Sequence, residues 1–82
     1  MATTKNLIKY HEVKDLISGE YIRLHLNSLE LSQKELSDCL GISKHTLNNL
    51  IHERIKLSTG RKLSIFYVIK DLYRNRNNNK NN

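Results

Sequence analysis

Apolar positions recur along this chain at helical spacing. Ile22, Leu26 and Leu29 stand at i, i+4 and i+7, flanked by Tyr21 and Leu24. Leu36 and Leu40 form a second stripe, and Leu47, Leu50 and Ile51 a third. A fourth segment carries Leu63, Ile65, Phe66, Tyr67, Val68, Ile69, Leu72 and Tyr73. These periods predict an all-α fold, a bundle of four to five short helices.

The chain has no proline, so the ends of these helices must be set by caps and glycines. Ser18 is the expected cap of the first stripe. Ser32-Gln33-Lys34-Glu35 reads as a capping box, in which hydroxyl and carboxylate each accept from the other residue's backbone N–H. Gly41 ends the second helix because glycine enters the left-handed region at little steric cost. Ile42 plugs the corner, and Ser43 caps the third helix. Residues 52–57 read as a loop anchored by Leu57, after which Ser58 or Thr59 caps a fourth helix running to about Arg74.

Residues 1–17 read as an arm or a helix, with Leu7, Ile8, His11, Leu16 and Ile17 on one face. Residues 74–82 are Asn-rich and polar and are expected to be disordered. Weak phosphate attraction through Arg74, Arg76 and Lys80 is the most such a tail offers. The chain thus divides into 1–17, a domain over 18–73, and the tail. The fourth stripe is wider than the arc of about 100° that a helix packed on one side displays. Either the N-terminal segment covers the excess, or a second copy does so through Ile65, Val68, Ile69, Leu72 and Tyr73.

At 82 residues the chain forms one domain with a small core and no room for an enclosed active site. Its single cysteine rules out an internal disulfide and fits a reducing compartment. Cys39 is expected on the inward face of the second helix beside Leu36 and Leu40, as a buried thiol. No apolar run spans a bilayer and no signal segment is evident, so the expected location is cytoplasmic. His11, His25, His45 and His52 supply no metal-ligand spacing, and no phosphate loop or nucleophile set is present. No enzymatic activity, metal or cofactor is expected.

The charge is unevenly spread. Residues 1–42 hold five Lys/Arg and six Asp/Glu (5 − 6 = −1), and residues 43–82 hold nine and two (9 − 2 = +7). The positive field begins where the third helix begins. That step favours a polyanion, nucleic acid ahead of a membrane surface.

The segment from Leu31 to Ile51 lays out as helix, turn, helix. Leu36, Leu40, Ile42, Leu47 and Leu50 point inward, Ser37 is small at the approach, and Gly41 is at the corner. Over Gln33, Leu36, Ser37, Leu40, Gly41, Ile42, Ser43, Thr46, Leu47, Leu50 and Ile51 it resembles the lambda-repressor-like (Cro or XRE) helix-turn-helix family. The resemblance covers roughly residues 18–72. Through "ISGEYI" and "KLSTGRKLSIF" it is most similar to the small antitoxins of the HigA group.

The resemblance implies that the third helix enters the DNA major groove. Lys44, His45 and Asn49 would then face bases, and Gln33 would grip a phosphate. Thr46 would either touch a thymine methyl or cap its own helix. Lysine suits guanine O6 and N7, and asparagine suits adenine N6 and N7. Ser43, Asn48, Arg54, Lys56 and Arg61 are the further phosphate candidates, with Lys62 beside Arg61. The expected function is a sequence-specific regulator of phage or mobile-element type. It would bind an inverted repeat on double-stranded DNA as a homodimer and repress its own gene. The alternative is an antitoxin that also neutralises a cognate toxin. A solvated polar face, or an adaptor working through the fourth helix, is the competing reading without DNA.

Overall fold

The computed structural model describes residues 9–80, with side chains through Arg76. Among these, five α-helices and a 3-10 turn follow one another: α1 (Tyr10–Val13), the turn (Lys14–Leu16), α2 (Gly19–Leu29), α3 (Gln33–Leu40), α4 (Lys44–Ile51) and α5 (Thr59–Lys80). No strand occurs among the described residues, and the fold is an all-α bundle.

Each helix start has a local cause. Ser18 Oγ accepts from the Tyr21 N–H at 3.4 Å. At α3 the reciprocal box is complete: Ser32 Oγ accepts from the Glu35 N–H (3.1 Å), and Glu35 Oε1 accepts from the Ser32 N–H (2.9 Å). Ser43 caps α4 by accepting from the Thr46 N–H at 3.0 Å. For α5 the cap is Ser58, accepting from the Arg61 N–H at 3.2 Å. Such a cap contributes about 1 kcal/mol by satisfying an N–H that the helix leaves unpaired.

Three helices end in the same way. The Gly41 N–H donates to Asp38 O (3.3 Å) and the Ile42 N–H to Ser37 O (3.0 Å), around Gly41 at φ 73°. At α2 the Glu30 N–H donates to Asn27 O (3.2 Å) and the Leu31 N–H to Leu26 O (3.0 Å), around Glu30 at φ 56°. At α4 the Glu53 N–H donates to Leu50 O (3.1 Å) and the Arg54 N–H to Asn49 O (2.8 Å), around Glu53 at φ 58°. This is the Schellman pattern, which normally takes glycine at its left-handed position. Two of the three positions hold glutamate, at a steric cost of about 1–2 kcal/mol each.

Ile17, Ile22, Leu26, Leu29, Leu36, Leu47, Leu50, Ile51, Ile65, Phe66 and Ile69 form the buried core. Where α2 begins, its backbone meets the end of α4. A Cβ at Gly19 would lie 2.0 Å from the Ile51 carbonyl oxygen, so only a hydrogen fits there. Ser37 is buried on α3, where its hydroxyl donates to Lys34 O at 2.8 Å.

Four expectations need correction. Cys39 is exposed. At about 100° per residue the buried arc of α3 is centred between Leu36 and Ser37, which leaves Cys39 on the outer side. His11 and Leu16 are also exposed; Tyr10 and Val13 pack on the core instead, with Ile17 inside it. Leu7 and Ile8 lie outside the described residues. Ile65 and Ile69, expected at a dimer contact, are 1% and 3% exposed and belong to the monomer's own core. Val68, Leu72 and Tyr73 pack partly against that core.

Neighbours on both sides cover most of the wide arc of α5, while Tyr67 stays 53% exposed. Tyr10 of α1 stands edge-on to Phe66, with centroids 5.8 Å apart. His25 of α2 bonds the Tyr73 hydroxyl through Nδ1 at 2.8 Å and stacks at a tilt on Tyr21. Burial pushes His25 below its ordinary pKa. Burial, then the neighbouring Tyr73, pushes Tyr21 up. The fourth correction is to the tail, because α5 continues to Lys80. The Arg76 guanidinium donates to the Ser28 carbonyl (3.0 Å) and to that of Leu29. It supplies positive charge where the unpaired carbonyls of α2 gather, which favours the added turns. Arg76 is therefore engaged within the fold, and Arg74 lies 3.7 Å from Asp71. The Lys80 side chain and residues 81–82 lie outside the described set.

Candidate nucleic-acid interface

A three-residue turn, Gly41 to Ser43, presents the start of α4 to solvent. Its cap is reinforced, because the Ser43 hydroxyl also donates to Thr46 Oγ1 at 2.9 Å. Thr46 is half-buried, and its hydroxyl accepts from that of Ser43 at the cap. Lys44 and His45 follow, both exposed, at the first helical positions. There the free N–H groups and the helix dipole add to the positive field of Lys44.

One turn further on, a connected set of polar side chains lies on the outer face. Asn48 Nδ2 donates to Gln33 Oε1 at 3.2 Å, joining α4 to the start of α3. Arg54 Nη1 donates to Asn48 Oδ1 at 2.9 Å and to Asn49 Oδ1 at 3.1 Å. Asn49 Nδ2 lies 3.3 Å from His45 Nε2, one turn back. The bonds run unbroken through Gln33, Asn48, Arg54, Asn49 and His45. No carboxylate takes part, so the face keeps the positive charge of Arg54 and Lys44.

Five of the ten sequence-predicted contact residues are thus brought into one network. Ser43 and Thr46 form the cap beside it, and Lys44 projects freely from the same end. Lys56 is exposed, and Arg61 is half-buried in the first turn of α5. Neither makes a side-chain hydrogen bond to this network among the described residues. The spacing of His45 and Asn49, four apart, is a signal that sequence carries. The engagement of Arg54 with two asparagines carries no such signal, because it depends on the left-handed Glu53 that turns the chain back.

An open cleft of about 330 Å³ lies elsewhere, between α1 and α5. It is lined by Lys9, Tyr10, His11, Leu63, Phe66, Tyr67 and Lys70 and shares no residue with the α3–α4 face. Among the described residues no group of His, Cys, Asp and Glu is placed to hold a metal. None of the described helices is long and apolar enough to cross a membrane. No family model, curated protein or solved structure matches the chain.

Proposed function

We propose that this chain is a cytoplasmic, sequence-specific DNA-binding regulator that inserts α4 into the major groove of duplex DNA, with a binding rather than a catalytic role. The observation that carries this reading is the outer face of α4. Lys44 stands free at a capped helix start, and a carboxylate-free network orders His45, Asn48, Asn49 and Arg54 behind it. A helix set on a tight turn, with amide and ammonium groups outward, matches the donor–acceptor code of base edges in the major groove. The charge step to +7 over residues 43–82 supplies attraction to phosphate.

Repression as a homodimer on an inverted repeat belongs to the same proposal, with half-sites about 34 Å apart. Its contacts lie outside Ile65 and Ile69, which the monomer already covers. The test is footprinting of the purified protein on DNA upstream of its own gene, beside a scrambled duplex, at about 150 mM salt. Protection of an inverted repeat is the expected result. Weak binding, equal on both duplexes, would sink the proposal.

A further inference from the structure

From sequence, Arg54 is a phosphate contact. In the fold its guanidinium lies along the outer face of α4, and one nitrogen reaches both Asn48 Oδ1 (2.9 Å) and Asn49 Oδ1 (3.1 Å). A guanidinium only donates. An amide turned end for end would set its NH₂ against that donor and lose the bond. Arg54 therefore selects one of the two amide orientations at both asparagines. At Asn48 a second bond agrees with that choice, its Nδ2 donating to Gln33 Oε1. Each oxygen keeps a second lone pair and each NH₂ a second hydrogen, so both amides can still bind with their ends fixed.

The backbone explains why Arg54 is there. Glu53 at φ 58° reverses the chain, and the Arg54 N–H closes onto Asn49 O at 2.8 Å. The side chain then leaves from beside the residues it holds. Glu53 itself makes no ion pair with Arg54 among the described residues, so the guanidinium is not drawn away.

We infer that Arg54 is a positioning residue, one that sets base discrimination by orienting Asn49, with Asn48 as its second anchor, instead of adding general phosphate attraction; this rests on the DNA-binding reading above. Adenine is the base concerned. Its major-groove edge offers an acceptor at N7 and a donor at N6, which an amide of fixed orientation matches and a reversed one opposes. A phosphate contact would change affinity for every duplex alike, whereas an orienting contact changes the ratio between duplexes.

The experiment selects duplexes from a randomised pool with the wild type. Affinities for the selected duplex and for the unselected pool are then measured over a salt series, for wild type, Arg54→Ala and Arg54→Lys. Arg54 is exposed, and melting curves check that both variants fold. Arg54→Ala is expected to lower the selected-to-pool ratio about fivefold or more, the lower end of what one bidentate amide–adenine pair supplies. Pool affinity and salt slope stay as in the wild type. Lysine, whose shorter stem ends before the position of Arg54 Nη1, does not restore the ratio. In the free protein the side-chain NH₂ resonances of Asn48 and Asn49 move in both variants. An equal loss on both DNAs, with a salt slope lower by about 1 and rescue by lysine, would make Arg54 a phosphate contact and overturn the inference. An unchanged ratio in Arg54→Ala would overturn it as well. Failure of the wild type to enrich any sequence would instead remove the DNA-binding reading, and the inference with it.

Discussion

Gly19→Ala should destabilise this protein even though it places a better helix former in a helix. Alanine puts a methyl where glycine has a hydrogen, and that direction points at the end of α4. The methyl carbon would stand 2.0 Å from Ile51 O, 2.8 Å from its carbonyl carbon and 3.2 Å from its Cα. All three are backbone atoms, so no rotamer change relieves the clash, and α2 and α4 must separate. Overpacking of this kind costs about 1–3 kcal/mol, and a rigid obstacle puts it at the upper end. The propensity gain of about 1 kcal/mol offsets part of that. The net loss is about 2 kcal/mol, which for a domain of this size lowers Tm by about 8–16 °C.

Gly60→Ala is the matched control. It lies in the first turn of α5, with nothing within 4 Å of the added carbon. It should stabilise by up to about 1 kcal/mol. Thermal and urea unfolding followed by circular dichroism would measure both variants. If Gly19→Ala were as stable as Gly60→Ala, the close approach of α2 to Ile51 would be wrong.

Other substitutions probe other parts of the fold. Glu30→Gly and Glu53→Gly relieve left-handed strain, less the extra entropy glycine gives the unfolded chain, and should each raise unfolding free energy by about 0.5–1 kcal/mol in urea titrations. Because burial holds folded His25 below its unfolded value near 6.5, the folded protein binds fewer protons in between; stability is complete above about pH 6.5 and declines as pH falls through the lowered value. A Tm-against-pH series should show that decline in wild type and lose it in His25→Phe. The Cys39 thiol, on the outside of α3, should react with a thiol reagent in the native protein without waiting for unfolding; a rate limited by global opening would return it to the core. Lys44→Ala should weaken a selected duplex by about five- to a hundredfold and random DNA far less, read by fluorescence anisotropy. Equal losses on the two would remove Lys44 from base readout.

Cap chemistry is local, which is why it was legible. A serine and an N–H three residues on need nothing from the rest of the chain; Ser18, Ser32 and Ser43 act as read, and of Ser58 and Thr59 it is Ser58 that caps. Gly41 announced its helix end, but Glu30 and Glu53 form the same turn without any marker residue. The face of a short helix that turns inward is set by its neighbours. On α3 they chose Ser37, whose hydroxyl can bond within its own turn, over Cys39. The breadth of the α5 stripe was visible, but its cause was not. Tyr10 and His25 reach it from segments far away in sequence, so a monomer uses what resembled an intermolecular surface. At the candidate interface the residue types were legible and their mutual bonds were not, because Arg54 owes its place to one backbone torsion.

The two glutamates in left-handed turns also bear on how long a molecule of this protein survives. A glutamate codon is one nucleotide from a glycine codon, so relief of either turn is a single mutational step away. Together the two turns withhold about 1–2 kcal/mol, a factor of about 5–30 in the population of unfolded chains. Proteases that act on transiently opened chains follow that population. Glu30 and Glu53, ordinary surface residues by composition, thus set how often the chain opens: with glycine at both, the opened population, and cleavage by any protease that acts on it, is expected to fall by that factor.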